Sequence, residues 1–233
     1  MFIDNLVAAY SLTIQSELIN FRFYVEDVEK RFNEKTKKVE EVIDLYLKEE
    51  VDEFWEREYE QEVESFVELQ DRYKNDFPEI MRSSLLISVY SFFEQKLVSQ
   101  CKPIKNGLSI SDIRGGSVID RAKKYLEKLM EVDFPANNEH WKFLREVSLI
   151  RNCIVHNGGF VEQSSNRIRN IINDMENIHI NEYDKIIIEK GFVEEMIDHV
   201  DAFLFELIVQ AKVRKEISRN YGSISESVNR LSN

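Results

Sequence analysis

Residues 79–101 read EIMRSSLLISVYSFFEQKLVSQC. Ile80, Leu85, Leu86, Ile87, Val89, Tyr90, Phe92, Phe93, Leu97 and Val98 place apolar side chains almost all round a 3.6-residue turn. A helix with so little polar surface belongs at the centre of a protein, wrapped by others. The composition supplies the wrapping. Among 233 residues there are 7 glycines and 3 prolines, with 32% charged and 43% hydrophobic residues, a balance that favours helices over sheets. The expected fold is therefore all-α.

Upstream, the first proline is Pro78 and the first glycine Gly107, so nothing breaks the chain before residue 78. One or two helices are expected in residues 1–33. Val39, Ile43, Tyr46, Phe54, Tyr59, Val63, Phe66 and Tyr73 then recur near helical spacing, which predicts one amphipathic helix over 37–75, about 60 Å long. Asp76-Phe77-Pro78-Glu79 predicts a restart, with proline at the first helical position. Downstream, Ser117 with Asp120 forms a capping box for a helix over 118–131. Asn137 or Asn138 caps a helix that runs to His156 and stops at Gly158-Gly159. A short helix is expected near 165–175. Ile178-His179-Ile180 and Lys185-Ile186-Ile187-Ile188 flank Asn181-Glu182-Tyr183-Asp184, a small β-hairpin over 178–188. A last helix over 192–219 ends with Lys212, Arg214, Lys215 and Arg219, the charges its dipole prefers there. Three segments result: a helical arm over 1–76, acidic from residue 26, a helical core over 77–219, and a frayed tail over 220–233.

The net charge is −12, which argues against a nucleic-acid surface until its distribution is considered. Residues 26–76 hold 19 acidic against 9 basic side chains, leaving the rest of the chain close to neutral, so a basic groove outside the arm is permitted. Two cysteines suggest no disulfide framework and fit a reducing, cytoplasmic setting. No basic stretch precedes an apolar run at the N-terminus, and no membrane span is expected.

The histidines, His140, His156, His179 and His199, form no His-Glu-x-x-His pair, and there is no cysteine cluster, phosphate-binding glycine loop or nucleophile elbow. The sequence thus points to no metal and no cofactor. What remains is LIRNCIVHNGG at 149–159. Asn152 and His156 fall on one helix face, while Arg151 and His156 diverge by about 140°. Spacing alone fits two readings: an ordinary helix end, where histidine and Asn-Gly are at home, and a site. Glu94 adds a second open pair. It neighbours Ile87, Tyr90, Leu97, Val98 and Cys101 on its helix, so it is either partly buried and paired, with Arg151 the obvious partner, or at the rim and wet.

Arg151-Asn152-x-x-x-His156 at the end of a helix resembles the signature of the HEPN superfamily, an arginine, a polar residue, a short variable spacer and a histidine. The stretch over 82–97 resembles the buried helix that precedes the motif helix in HEPN-like proteins. The resemblance covers roughly residues 77–210. It departs at Gly158, where some HEPN toxins carry tyrosine. It implies a helical bundle and a metal-independent endoribonuclease of the toxin–antitoxin or abortive-infection kind. RNA carries its own nucleophile, the ribose 2′-hydroxyl, so His156 would transfer protons, Arg151 would grip the phosphate, and Asn152 would orient the histidine or hold a phosphate oxygen. The divergence of Arg151 and His156 calls for a homodimer in which two motif helices share one cleft. Arg121, Lys123 and Lys124 would extend the RNA-binding surface, or else form a solvated helix face. An antitoxin or other regulatory protein is the implied partner. The alternative is an inactive HEPN-like module that binds RNA, a nucleotide or a partner protein.

Overall fold

The computed structural model describes residues 10–48, 55–102 and 107–231, and beyond residue 211 the backbone alone. It is mostly helical, with one small antiparallel hairpin. The elements are α1 (Ser16–Tyr46), α2 (Glu56–Asp71), α3 (Phe77–Gln100), α4 (Val118–Lys128), α5 (Glu139–Asn157), α6 (Asn166–Asn173), β1 (Ile178–Ile180), β2 (Ile186–Ile188) and α7 (Phe192–Leu231). Among the described residues, no helix is long and apolar enough to cross a membrane. The fold class expected from the sequence is the one observed.

Contacts gather the described residues into two compact units, one of 10–18, 88–151 and 196 onward, the other of 19–87 and 152–195. In the first unit, the apolar faces of α3 and α5 are buried: Val89, Phe93 and Leu97 on α3, and Trp141, Leu144, Val147 and Ile150 on α5, are each 2% exposed or less. Phe203 of α7 stacks on Trp141, with centroids 5.2 Å apart, and meets Phe93 and Phe134 edge-on or tilted at 5.8 and 5.5 Å. Four rings in this arrangement bury a large apolar area and add pairwise quadrupole attraction. Tyr10 closes the N-terminal side. Its hydroxyl donates to the Asp201 carbonyl at 2.7 Å and also to the Asp201 carboxylate.

The second unit contains the acidic arm, and three expectations about that arm are corrected. First, α1 does not break near residues 33–37 but runs unbroken to Tyr46. Nothing there disfavours a helix, and Asp27–Arg31 and Lys30–Glu34 pair one turn apart. Second, a single helix over 37–75 is replaced by α1 and α2. The Tyr46 ring lies 5.5 Å from Tyr59 and 5.2 Å from Phe66, a contact that a straight helix, rising about 1.5 Å per residue, cannot make over twenty residues. The aromatic stripe buries itself by folding back. Residues 49–54 lie outside the described part. Third, Pro78 does not restart a helix. A five-residue π-helical turn, Arg72–Asp76, joins α2 directly to α3. Proline lacks an N–H and crowds the carbonyl four residues back, and the wider π turn accommodates both.

The later elements follow local chemistry more closely. Ser117 caps α4, its hydroxyl accepting from the Asp120 N–H at 3.2 Å while the Asp120 carboxylate accepts from the Ser117 N–H. Asn138 caps α5, its side-chain oxygen accepting the Trp141 N–H at 2.7 Å. Asn138→Ala should therefore cost about 1 kcal/mol and lower the thermal midpoint by roughly 3 °C, which calorimetry will read. The hairpin pairs Ile178 with Ile188 and Ile180 with Ile186. The backbone of α7 is helical through Leu231. No proline interrupts it, and Gly222 alone does not stop a helix. The side chains of Lys212, Arg214, Lys215 and Arg219 lie outside the described residues.

Candidate active site on the motif helix

Helix α5 turns its apolar stripe inward, with Leu144, Val147, Ile150 and Cys153 buried. The opposite face is exposed, and it carries Asn152 and His156. The exposure of His156 follows from its position: it is three residues beyond Cys153, where the stripe has already turned away from the core. Behind it the chain reverses sharply. Gly158 and Gly159 have φ of 62° and 86°, conformations that side-chain-bearing residues rarely adopt. The Gly159 N–H reaches back to the Cys153 carbonyl at 3.2 Å, and the Gly159 carbonyl accepts from Ile186 at 3.0 Å. The helix end that presents His156 is thus anchored to β2.

Arg151 is half-buried and points along a different direction from His156, about 140° around the helix. It acts on Glu94 of α3. Burial raises the Glu94 carboxyl above its ordinary value, and the Arg151 charge opposes that rise. Tyr90, one turn earlier on α3, joins them. Burial holds its hydroxyl protonated, the Ser148 side chain pulls the other way, Glu94 reinforces the rise and Arg151 counters it. Glu94 is neither fully buried nor exposed, and the charge that acts on its carboxyl is that of Arg151. Around the turn of α5, Asn152 and His156 share a face, whereas Arg151 and His156 diverge.

The three basic residues of α4 are placed differently from one another. Lys123 is engaged, 3.6 Å from Glu127 and over the Phe134 ring at 5.8 Å. Arg121 is half-buried, while Lys124 is exposed. Asp120 is held below its ordinary value despite partial burial, by hydrogen bonds from Ser117 and by the charges of Arg145 and Lys124. Arg145 was not singled out from the sequence, although a signal was there. It precedes Asn152 by seven residues and His156 by eleven, so all three share one exposed helix face within an arc of about 40°. Burial and Glu162 raise the Cys153 thiol pKa, and the Sγ donates to the Phe160 carbonyl at 3.3 Å.

Such a surface can transfer a proton at His156 and offer guanidinium and amide donors to an anion along one helix. No family model, curated protein or solved structure matches this chain.

Proposed function

We propose that the protein is a metal-independent endoribonuclease of the HEPN type, acting as a homodimeric toxin or antiviral-defence effector. The observation that carries this reading is His156 exposed beside Asn152 at the anchored end of a helix that also bears Arg151. An ordinary helix end needs neither the exposed asparagine on the same face nor the arginine a turn before.

In the proposed reaction His156 of one copy accepts the proton of a ribose 2′-hydroxyl. The 2′-oxygen attacks the adjacent phosphorus, the bond to the 5′-oxygen breaks, and the other copy's His156 protonates that leaving oxygen. The products are a 2′,3′-cyclic phosphate and a 5′-hydroxyl. Arg151 neutralises charge gathering on the phosphate oxygens. Val155 and Phe160 flank His156 and are 43% and 52% exposed, giving apolar surface against which a second copy would pack. Arg145 and Lys124 extend the basic side of the strand path, each expected to lend one phosphate contact.

The test is cleavage of single-stranded RNA by the purified protein in EDTA, with matching DNA surviving because it lacks the attacking hydroxyl. Sedimentation should show a dimer at micromolar concentration. Intact RNA across a range of substrates overturns the proposal. Arg151→Ala should lose cleavage nearly as completely as a histidine variant and also lower the thermal midpoint, because Glu94 is left half-buried without its counter-charge. That half-burial favours a second reading, an inactive HEPN-like module that binds RNA, a nucleotide or a partner protein, in which Arg151 serves the fold. A destabilised Arg151→Ala with no RNA cleavage in the parent protein would select it. A neutralising antitoxin partner belongs to the first reading.

A further inference from the structure

We propose that His140 and His199 form a pH-sensitive latch that fastens the first turn of the motif helix α5 to α7, independently of the ribonuclease reading. The two Nδ1 atoms lie 2.9 Å apart, with ring centroids at 5.0 Å. A hydrogen bond between two Nδ1 atoms has one arrangement: one ring donates an N–H and the other offers a lone pair. The accepting ring is therefore neutral, with its proton on Nε2. Once both rings are protonated, two N–H groups and two positive charges face each other and the bond is lost.

The surroundings oppose a charge on His199. Phe143 lies flat on the His199 ring, 4.0 Å away and tilted by 11°, covering one of its faces. Burial, and then the neighbouring His140, lower the His199 pKa below the ordinary value of 6.5; Glu139 on α5 and Asp198 on α7 pull it back up without reversing the direction. Among the described residues, no third His, Cys, Asp or Glu joins the two rings in a metal-sized group. The same seam contains the bond from Asn138 to Glu206 at 2.7 Å and, next to His140, Trp141, buried against Phe134 and Phe203.

The sign follows from the depressed value. The unfolded chain takes up a proton at this ring near pH 6.5 and the folded chain only at lower pH. The stabilisation is complete above 6.5 and drains away as the pH falls toward the folded value. Acidification thus loosens the start of α5, at the end of the helix opposite His156.

The experiment compares full-length wild type with His140→Gln, whose amide can still donate to His199 but cannot take up a charge. Between pH 7.5 and 5.5 the thermal midpoint of wild type should fall by roughly 3 °C more than that of the variant. In a Trp55→Phe background, Trp141 emission should shift to the red over the same range in wild type only. Proton resonances of the His199 ring should titrate below the usual histidine value in wild type and move up in His140→Gln. Should that variant not fold, the resonances of wild type decide alone: both rings titrating together at the ordinary value overturn the latch. Identical pH profiles in wild type and variant overturn it as well. So does a pH effect that vanishes in EDTA, because the pair would then be holding a metal ion.

Discussion

His156→Ala is expected to reduce RNA cleavage at least a hundredfold, and up to about ten-thousandfold, the range that one positioned acid–base group contributes. The upper end is the better expectation. In a two-fold dimer the substitution removes the proton acceptor from one side of the phosphate and the proton donor from the other. Stability should barely change. His156 is exposed, its helix is closed by backbone bonds to Gly159, and a surface substitution of this kind stays within about 0.5 kcal/mol. The helical circular-dichroism signal and the thermal midpoint should therefore match wild type while cleavage disappears. That combination separates chemistry from architecture, which Arg151 cannot do because it serves Glu94 as well. Full activity of His156→Ala in a contaminant-free preparation would sink the enzyme reading. A variant that simply melts early would return the motif to the status of a helix end.

Legibility differed between features according to how far apart the decisive residues lie. The caps at Ser117 and Asn138, the glycine stop after Asn157 and the hairpin around Asn181 each depend on a few consecutive residues, and each could be read from the sequence. The buried character of α3 could be read too, because its apolar residues leave no polar face. The fold-back of α2 on α1 could not. No glycine or proline marks it, and ring packing between Tyr46, Tyr59 and Phe66 decides it. Pro78 misled for the opposite reason: a strong local signal was absorbed by a π turn. At the candidate site, the shared face of Asn152 and His156 is plain helix arithmetic, whereas the contact of His140 with His199 joins residues far apart in the chain that no local pattern marks.

Glu29 shows the same effect at its largest, and Arg82→Leu is the substitution expected to cost the most stability. Glu29 stands in an acidic run that reads as a solvated face, yet its side chain is only 6% exposed, and the Arg82 side chain 14%. The guanidinium meets the carboxylate as a fork, Nε to Oε1 at 2.6 Å and the second nitrogen to Oε2 at 3.0 Å. Its remaining nitrogen donates to the Ile188 carbonyl at 3.3 Å and lies 3.8 Å from Glu189, which in turn approaches His179 at 3.5 Å. One arginine of α3 thereby ties α1 to the hairpin, a link that the acidic arm needs because α2 has no buried residue. Removing Arg82 strands a buried carboxylate, and breaking such a pair from one side costs about 3–5 kcal/mol, or roughly 10 °C in thermal midpoint for a chain of this size. The double substitution Arg82→Leu with Glu29→Met should recover most of that loss, since well-packed apolar residues often replace a buried ion pair at little net cost. Urea unfolding of wild type, both single variants and the double variant measures the coupling directly. If Arg82→Leu and Glu29→Met each cost less than about 1 kcal/mol and simply add, the pair is solvated in solution and the arm is held by its aromatic contacts alone.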